Sequence, residues 1–290
     1  MKKKQKTRRQ KKYKLLAVLF LCIGGGLILY PLVASQFNRL QQMQAVDGYI
    51  SEAESVPEEE KREMLEAAAA YNMKLKNNGA VMTDPFDENA VKLTSDEYFS
   101  CLDMDGSGMM GYLDIPSIRV HLPVYHTTSE EVLKKAAGHL QGSSLPVGGD
   151  GTHCVLSAHT GLAGNRLFTD LEDVEVGDTF TVTVLGEELV YQVYDIEVVL
   201  PEDTQSLLIK EGEDLCTLVT CTPYGVNTHR LLVHGRRIPE TEDREEPKEE
   251  TGTENSVVMA MTAGIMLLAA AGTAWLWRRK RKKKRKRGQV

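Results

Sequence analysis

Cys221 and Arg230 stand nine residues apart in the run Thr217-Leu-Val-Thr-Cys221-Thr-Pro-Tyr-Gly-Val-Asn-Thr-His229-Arg230-Leu-Leu-Val233. The flanks, Thr217 to Thr220 and Leu231 to Val233, are β-branched and apolar and read as strands. Between them Pro223, Gly225 and Asn227 supply turn chemistry. Such a hairpin sets a thiol at the end of one strand and a cation at the start of its neighbour. A fixed cation favours the thiolate, which is the nucleophilic form, so Cys221 is a candidate nucleophile. A nucleophile of this kind needs a proton carrier. His159, in Val155-Leu-Ser-Ala-His159-Thr-Gly161-Leu, ends an apolar strand and precedes a glycine turn, a place where reactive groups are often set. His121, His126, His139 and His153 read as structural histidines. His229 and His234 are close to Cys221 in sequence, but His234 falls well into the strand after Arg230.

The elements that must hold these groups are mostly short strands from Gly111 onward. They are Gly111 to Ile115, Val120 to Tyr125, Thr152 to Ser157, Asp178 to Val184, Leu189 to Val199, Leu215 to Thr220 and Arg230 to Ile238. Many short strands joined by Gly/Pro turns indicate a β-barrel or sandwich. A helix over Ser129 to His139, with an acidic start, interrupts the series. Upstream, Gln36 to about Asn78 is rich in helix formers, with a restart at Ser55-Val-Pro57-Glu58 and a stop at Asn77-Asn-Gly79. Ala80 to Leu93, interrupted by Pro85, is too polar for a core strand and locally reads as a connecting loop. Asp103-Met-Asp105-Gly-Ser107-Gly108 imitates the opening of an EF-hand calcium loop. Met110 to Ile115, however, reads as a strand where the exiting helix belongs, so a glycine-rich turn is expected and no metal.

Five cysteines make no disulfide scaffold and show no zinc spacing. Cys22 lies in an apolar run, while Cys101 and Cys154 remain open to pairing. Cys216 and Cys221 share one strand roughly 16 Å apart at about 3.3 Å per residue, beyond the ~7 Å Cα separation a bridge allows.

The net charge of −6 conceals a segregation. Nineteen of the 35 Lys/Arg lie before Leu15 or after Trp277, leaving 16 against all 41 acidic residues, a middle of net charge −25. The basic tails, 1–14 and 278–290, adjoin two uncharged apolar runs, Leu15 to Val33 and Val257 to Trp277. Each run approaches the ~20 residues of a membrane helix. Basic flanks stay in the cytoplasm, which places both termini inside and the acidic middle outside the cell membrane. Leu32-Val-Ala34 makes a poor cleavage site, so the first run is read as an uncleaved anchor rather than a signal peptide. The junction of the tails with apolar spans speaks against nucleic-acid binding. Residues 239–256 are charged and nearly free of apolar residues, a tether to the second span.

The chain resembles a sortase, specifically the class C, pilus-assembly sortases of Gram-positive bacteria. The resemblance is carried by Leu156-Ser-Ala-His159-Thr-Gly-Leu, by Leu167-Phe-Thr-Asp-Leu171 with Gly177-Asp178, and by the Thr217 to Arg230 run. Gly111-Tyr-Leu-Asp-Ile-Pro116 and Gly138-His-Leu-Gln-Gly-Ser-Ser-Leu-Pro146 also match. It extends from about Thr83 to Ile238 and implies a closed eight-stranded barrel. The expected layout is mainly β: a span (15–33), N-terminal helices (34–79), a lid loop (80–93), the barrel (94–238), a linker (239–256) and a second span (257–277).

The resemblance further implies that Cys221, His159 and Arg230 are catalytic, with no cofactor. It also implies that Asp84-Pro85-Phe86 anchors a lid over them, reversing the local reading of a plain loop. The implied reaction is cleavage of a Leu-Pro-x-Thr-Gly-like sorting signal between Thr and Gly, then transfer to a pilin Lys amine. The alternatives are a sortase that anchors surface proteins to peptidoglycan, and a non-catalytic extracytoplasmic sensor or binding protein. Two departures stand out: Ala163 where relatives often carry Pro, and His234 where many carry Arg.

Overall fold

The structure, a computed structural model, describes residues 2–79, 82–87, 95–162 and 164–239. The second apolar run, the basic tail after it and residues 240–256 of the linker lie outside the described residues. Helix α1 (Lys2–Ser55) runs unbroken through the first apolar run, where several side chains also lie outside the description. Among the described residues no helix is long and apolar enough to cross a membrane.

Pro57 has no N–H and disfavours a helical Val56, so α1 stops at Ser55. Helix α2 (Glu58–Asn78) restarts at once with Glu58, Glu59 and Glu60 in its first turn, where the helix dipole favours acids. Gly79, at φ +80°, ends it. Both helices clasp the body. Tyr49 of α1 donates its hydroxyl to the Met110 carbonyl (2.8 Å) and accepts from the Leu185 N–H (2.9 Å). Asn72 of α2 closes a two-point clamp on the Leu145 backbone at 3.0 and 2.7 Å.

After a short helix α3 (Asp96–Ser100) the chain enters the strands: β1 (Met109–Ile115), β2 (Val120–His126), helix α4 (Glu130–Leu133), β3 (Ala137–His139), β4 (Thr152–Ser157), β5 (Thr179–Val184), β6 (Glu187–Val199), β7 (Asp214–Thr222) and β8 (His229–Arg237). They close into a barrel in the order β1-β2-β3-β4-β7-β8-β6-β5. All pairings are antiparallel except β2 with β3 and β4 with β7. Closure satisfies every strand edge. Leu113, Phe180, Tyr191, Leu218 and Val233 are among the buried side chains that fill the core. Phe180 and Tyr191 are register partners and stack at 5.5 Å. They require Gly235 on β8, because a Cβ there would lie 2.5 Å from the Phe180 ring.

The expected helix over Ser129 to His139 is corrected. Helix survives only in Glu130–Leu133, and Ala137–His139 form β3, the strand that completes eight. The Glu- and Lys-rich start has helix propensity, but β2 and β4 both take hydrogen bonds from 137–139. A Cβ on Gly138 would meet the Thr127 carbonyl at 2.4 Å. Tertiary pairing overrides local preference here. The Asp103 to Gly108 loop is a turn, as expected. Asp105 accepts from the Ser107 N–H (2.8 Å) and Asp103 from the Gly108 N–H (3.0 Å), so both carboxylates serve their own backbone. Among the described residues no cluster could hold a metal ion.

Cys101, Cys154, Cys216 and Cys221 are free thiols. Cys154 and Cys216 face each other as register partners on β4 and β7, both in the core.

Candidate active site

Strands β4 and β7 run parallel, so both deliver their C-terminal ends to the same rim of the barrel. Cys221 is the penultimate residue of β7 and His159 follows β4 by two residues. The two strand ends are tied together: the Ala158 N–H donates to the Val219 carbonyl (3.2 Å) and the buried Thr220 hydroxyl donates to the Ala158 carbonyl (2.8 Å). The loop after His159 is pinned from outside. The Phe168 N–H donates to the His159 carbonyl (3.2 Å), and Asn38 of α1 donates to the Gly164 carbonyl (2.8 Å). Beside the thiol, the Thr222 hydroxyl donates to Glu172 at 2.7 Å.

β8 pairs antiparallel with β7 and brings Arg230 directly opposite Cys221. The guanidinium is held by its own turn, with Nη1 donating to the carbonyls of Asn227 (3.2 Å) and His229 (3.0 Å). Thiol and guanidinium, nine residues apart in sequence, are thus nearest neighbours across a ladder.

The segment containing Asp84, Pro85 and Phe86 covers both. Arg230 Nε donates to Asp84 Oδ1 at 2.8 Å and Nη2 to Oδ2 at 2.6 Å, a bidentate pair. The two side chains are only 10% and 13% exposed. Pro85 starts a turn closed by the Asp87 N–H on the Asp84 carbonyl (3.1 Å), which aims Phe86 inward. The Phe86 ring lies 5.1 Å from the Arg230 guanidinium carbon and 5.4 Å from the His159 ring. Residues 82–84, 86 and 87 face Pro201, Glu202 and Thr204 across a groove of about 580 Å³.

Electrostatics match a closed site. Burial pushes the Cys221 thiol above its ordinary range; Arg230 opposes this and the Asp84 carboxylate adds to it. Burial works against the Arg230 cation, but its bond to Asp84 keeps it charged.

Sequence reasoning brought Cys221, His159, Arg230, Asp84, Pro85 and Phe86 to one place, and all six meet there. It missed Glu130, whose Oε2 lies 3.5 Å from His159 Nε2, because that residue read as the acidic start of a helix. His234 is not part of the rim. It is buried in a chain that runs from the Leu208 carbonyl to His153 Nδ1 (3.0 Å), from His153 Nε2 to the Thr217 hydroxyl (2.7 Å), on to His234 Nδ1 (2.8 Å), and from His234 Nε2 to Glu197 (3.1 Å).

A closed mixed barrel with a thiol, a guanidinium and an imidazole at one rim is the plan of a cysteine acyl transferase. The sortase domain family matches residues 113–238. The chain is similar to sortase C1 from Streptococcus agalactiae, with 45% identity and a TM-score of 0.63 over 68% of this chain and all of that one. It is similar to sortase C-1 from Streptococcus pneumoniae, with 44% identity and a TM-score of 0.64 over 68% of this chain and all of that one. A third similar structure is a Streptococcus pneumoniae sortase C described as informing catalysis and pilin substrate specificity. It shares 40% identity at a TM-score of 0.62, covering 69% of this chain and all of that one. The chain belongs to the sortase family of cysteine transpeptidases, in its class C group.

Proposed function

We propose that the chain joins pilin subunits: it cleaves a Leu-Pro-x-Thr-Gly-like sorting signal between Thr and Gly and transfers the Thr acyl group to a pilin Lys amine. The observation that carries the reading is the direct opposition of Cys221 and Arg230 at the rim where His159 emerges, beneath a cover held by one ion pair. The pilin assignment is supported by the class C relatives, one of them described in terms of pilin substrates.

In this reading the Cys221 thiolate attacks the Thr carbonyl, forming a C–S bond as the carbonyl electrons move to oxygen. Arg230, released from Asp84, donates to that oxyanion; a guanidinium stays charged at any working pH. When the oxyanion collapses, the C–N bond to Gly breaks and the His159 imidazolium protonates the departing amine. The Lys ε-amine then attacks the thioester, neutral His159 takes its proton, and the thiolate leaves with an isopeptide bond formed. An ordinary thiol titrates near 8.5 and an imidazole near 6.5, and closure pushes Cys221 higher. Closure therefore makes the reactive thiolate scarcer still.

The layout proposed for the cell follows the charge segregation: two membrane spans, 15–33 and 257–277, both basic tails in the cytoplasm and the barrel outside. The test is to incubate the full-length protein in detergent with a sorting-signal peptide, a pilin Lys peptide and a peptidoglycan stem-peptide amine, then to identify products by mass spectrometry. An isopeptide bond to the pilin Lys is expected. Exclusive transfer to the stem-peptide amine would make it a wall-anchoring sortase. Activity retained by Cys221→Ala would remove the nucleophile assignment altogether.

A further inference from the structure

The structure assigns Glu130 as the positioning residue for His159: its carboxylate fixes the proton on Nε2 and stabilises the imidazolium, leaving Nδ1 for the reaction. The inference rests on the reading of His159 as the proton carrier.

The geometry is specific. Glu130 opens α4, the short helix between β2 and β3. Because β3 pairs with β2 and antiparallel with β4, α4 is delivered to the rim where β4 ends and His159 begins. Glu130 Oε2 lies 3.5 Å from His159 Nε2. Its other oxygen, Oε1, is 2.9 Å from Lys134 Nζ, one helical turn on. A carboxylate can only accept, so the nitrogen facing it carries the hydrogen. Lys134 first, and His159 after it, hold the Glu130 carboxyl below the usual carboxylate range, so it is an anion wherever the enzyme works.

Among the described residues Glu130 is the carboxylate paired with the imidazole. Phe86 covers the ring from the lid at 5.4 Å. Asp84 spends both oxygens on Arg230. Cys221 and Arg230 lie on β7 and β8. Lys134 shares the Glu130 charge and Glu130 is half exposed, so solvent screens the pair and the expected effect of losing it is modest.

Loss of the Glu130 charge has a double signature. Without the carboxylate the protonated ring loses its acceptor, so the active thiolate–imidazolium form becomes scarcer. The acid limb of the kcat/KM profile reports the imidazole. Glu130→Gln keeps the shape and removes the charge. It is expected to move the acid limb down by half a unit to one unit and to lower the plateau roughly three- to tenfold, the two changes corresponding.

The measurement is the pH dependence of transpeptidation by the full chain, beside ¹⁵N-histidine NMR titration with His159 assigned through His159→Asn. A plateau that falls while the acid limb and the His159 titration stay in place would overturn the proposal and leave His159 as proton carrier. Full activity of His159→Asn would instead overturn the underlying reading. Glu130→Ala, giving the same limb shift with a larger plateau loss, would support the charge as the operative feature.

Discussion

Asp84→Ala tests the lid most directly. In the closed form Asp84 makes two charge-assisted hydrogen bonds to Arg230, at 2.8 and 2.6 Å, between side chains 10% and 13% exposed. Charge-assisted bonds contribute about 1.5–3 kcal/mol each when one partner is removed, and the two here share one rigid fork, so a net loss of about 2–3 kcal/mol is reasonable. Phe86 keeps its contacts with Arg230 and His159, so the closed state is weakened and not abolished.

At about 1.4 kcal/mol per tenfold, the open fraction rises roughly 30- to 140-fold. Removing the carboxylate also lifts a like charge from the thiol, which acts in the same direction. The assay is the second-order rate of Cys221 alkylation by a bulky maleimide at pH 7.5, resolved from the other cysteines by peptide mass spectrometry. A rise of about 30-fold or more over wild type is expected. A rise below threefold in a variant that melts like wild type would refute the lid as the barrier to the thiol.

Three further outcomes follow from the same geometry. Arg230→Lys should lower kcat/KM at least 100-fold, through loss of the bidentate donor, while Cys221 alkylates faster because the lid has lost its fork; a fall in both would separate lid from Arg230. Tyr98→Phe strands the buried His139 Nδ1 (3.0 Å) and the half-buried Thr127 N–H (3.1 Å), and should cost about 2–4 kcal/mol in urea unfolding with kcat unchanged. Finally, burial pushes His153 down to about 4. Its neutral form is the one the fold holds, so its contribution is intact above the unfolded value near 6.5. It is lost as pH falls from there to about 4, in total about 3 kcal/mol. Unfolding of wild type and His153→Gln at pH 7.5 and 4.5 should show a flatter pH dependence in the variant; parallel curves would contradict this.

Much of the fold was legible because its determinants are local. Pro57 and Gly79 mark helix boundaries whatever the surroundings, and seven strands announce themselves by β-branched, apolar runs. The eighth was not legible. Ala137–His139 carry no strand signal of their own, and they are extended only because β2 and β4 flank them. The Cys221–Arg230 hairpin was readable because sequence-adjacent strands with turn chemistry between them must pair, and register then places thiol against guanidinium. Asp84 to Phe86 is the opposite case. By composition it is a polar loop, and resemblance alone named it a lid.

Local order along the chain therefore dictates the chemistry available and its scaffolding: a thiol and a cation on one hairpin, and an imidazole at a strand end. How these groups act on one another depends on long-range packing. The parallel pairing of β4 with β7 brings His159 to the rim that holds Cys221, across 62 residues of chain. The closed barrel leaves Arg230 buried enough to hold Asp84, 146 residues away, in a bidentate pair. The rerouting of 134–139 from helix to a turn and the short strand β3 sets Glu130 against His159. Each of these depends on long-range closure, whose cost no local pattern records and whose geometry only the assembled sheet supplies.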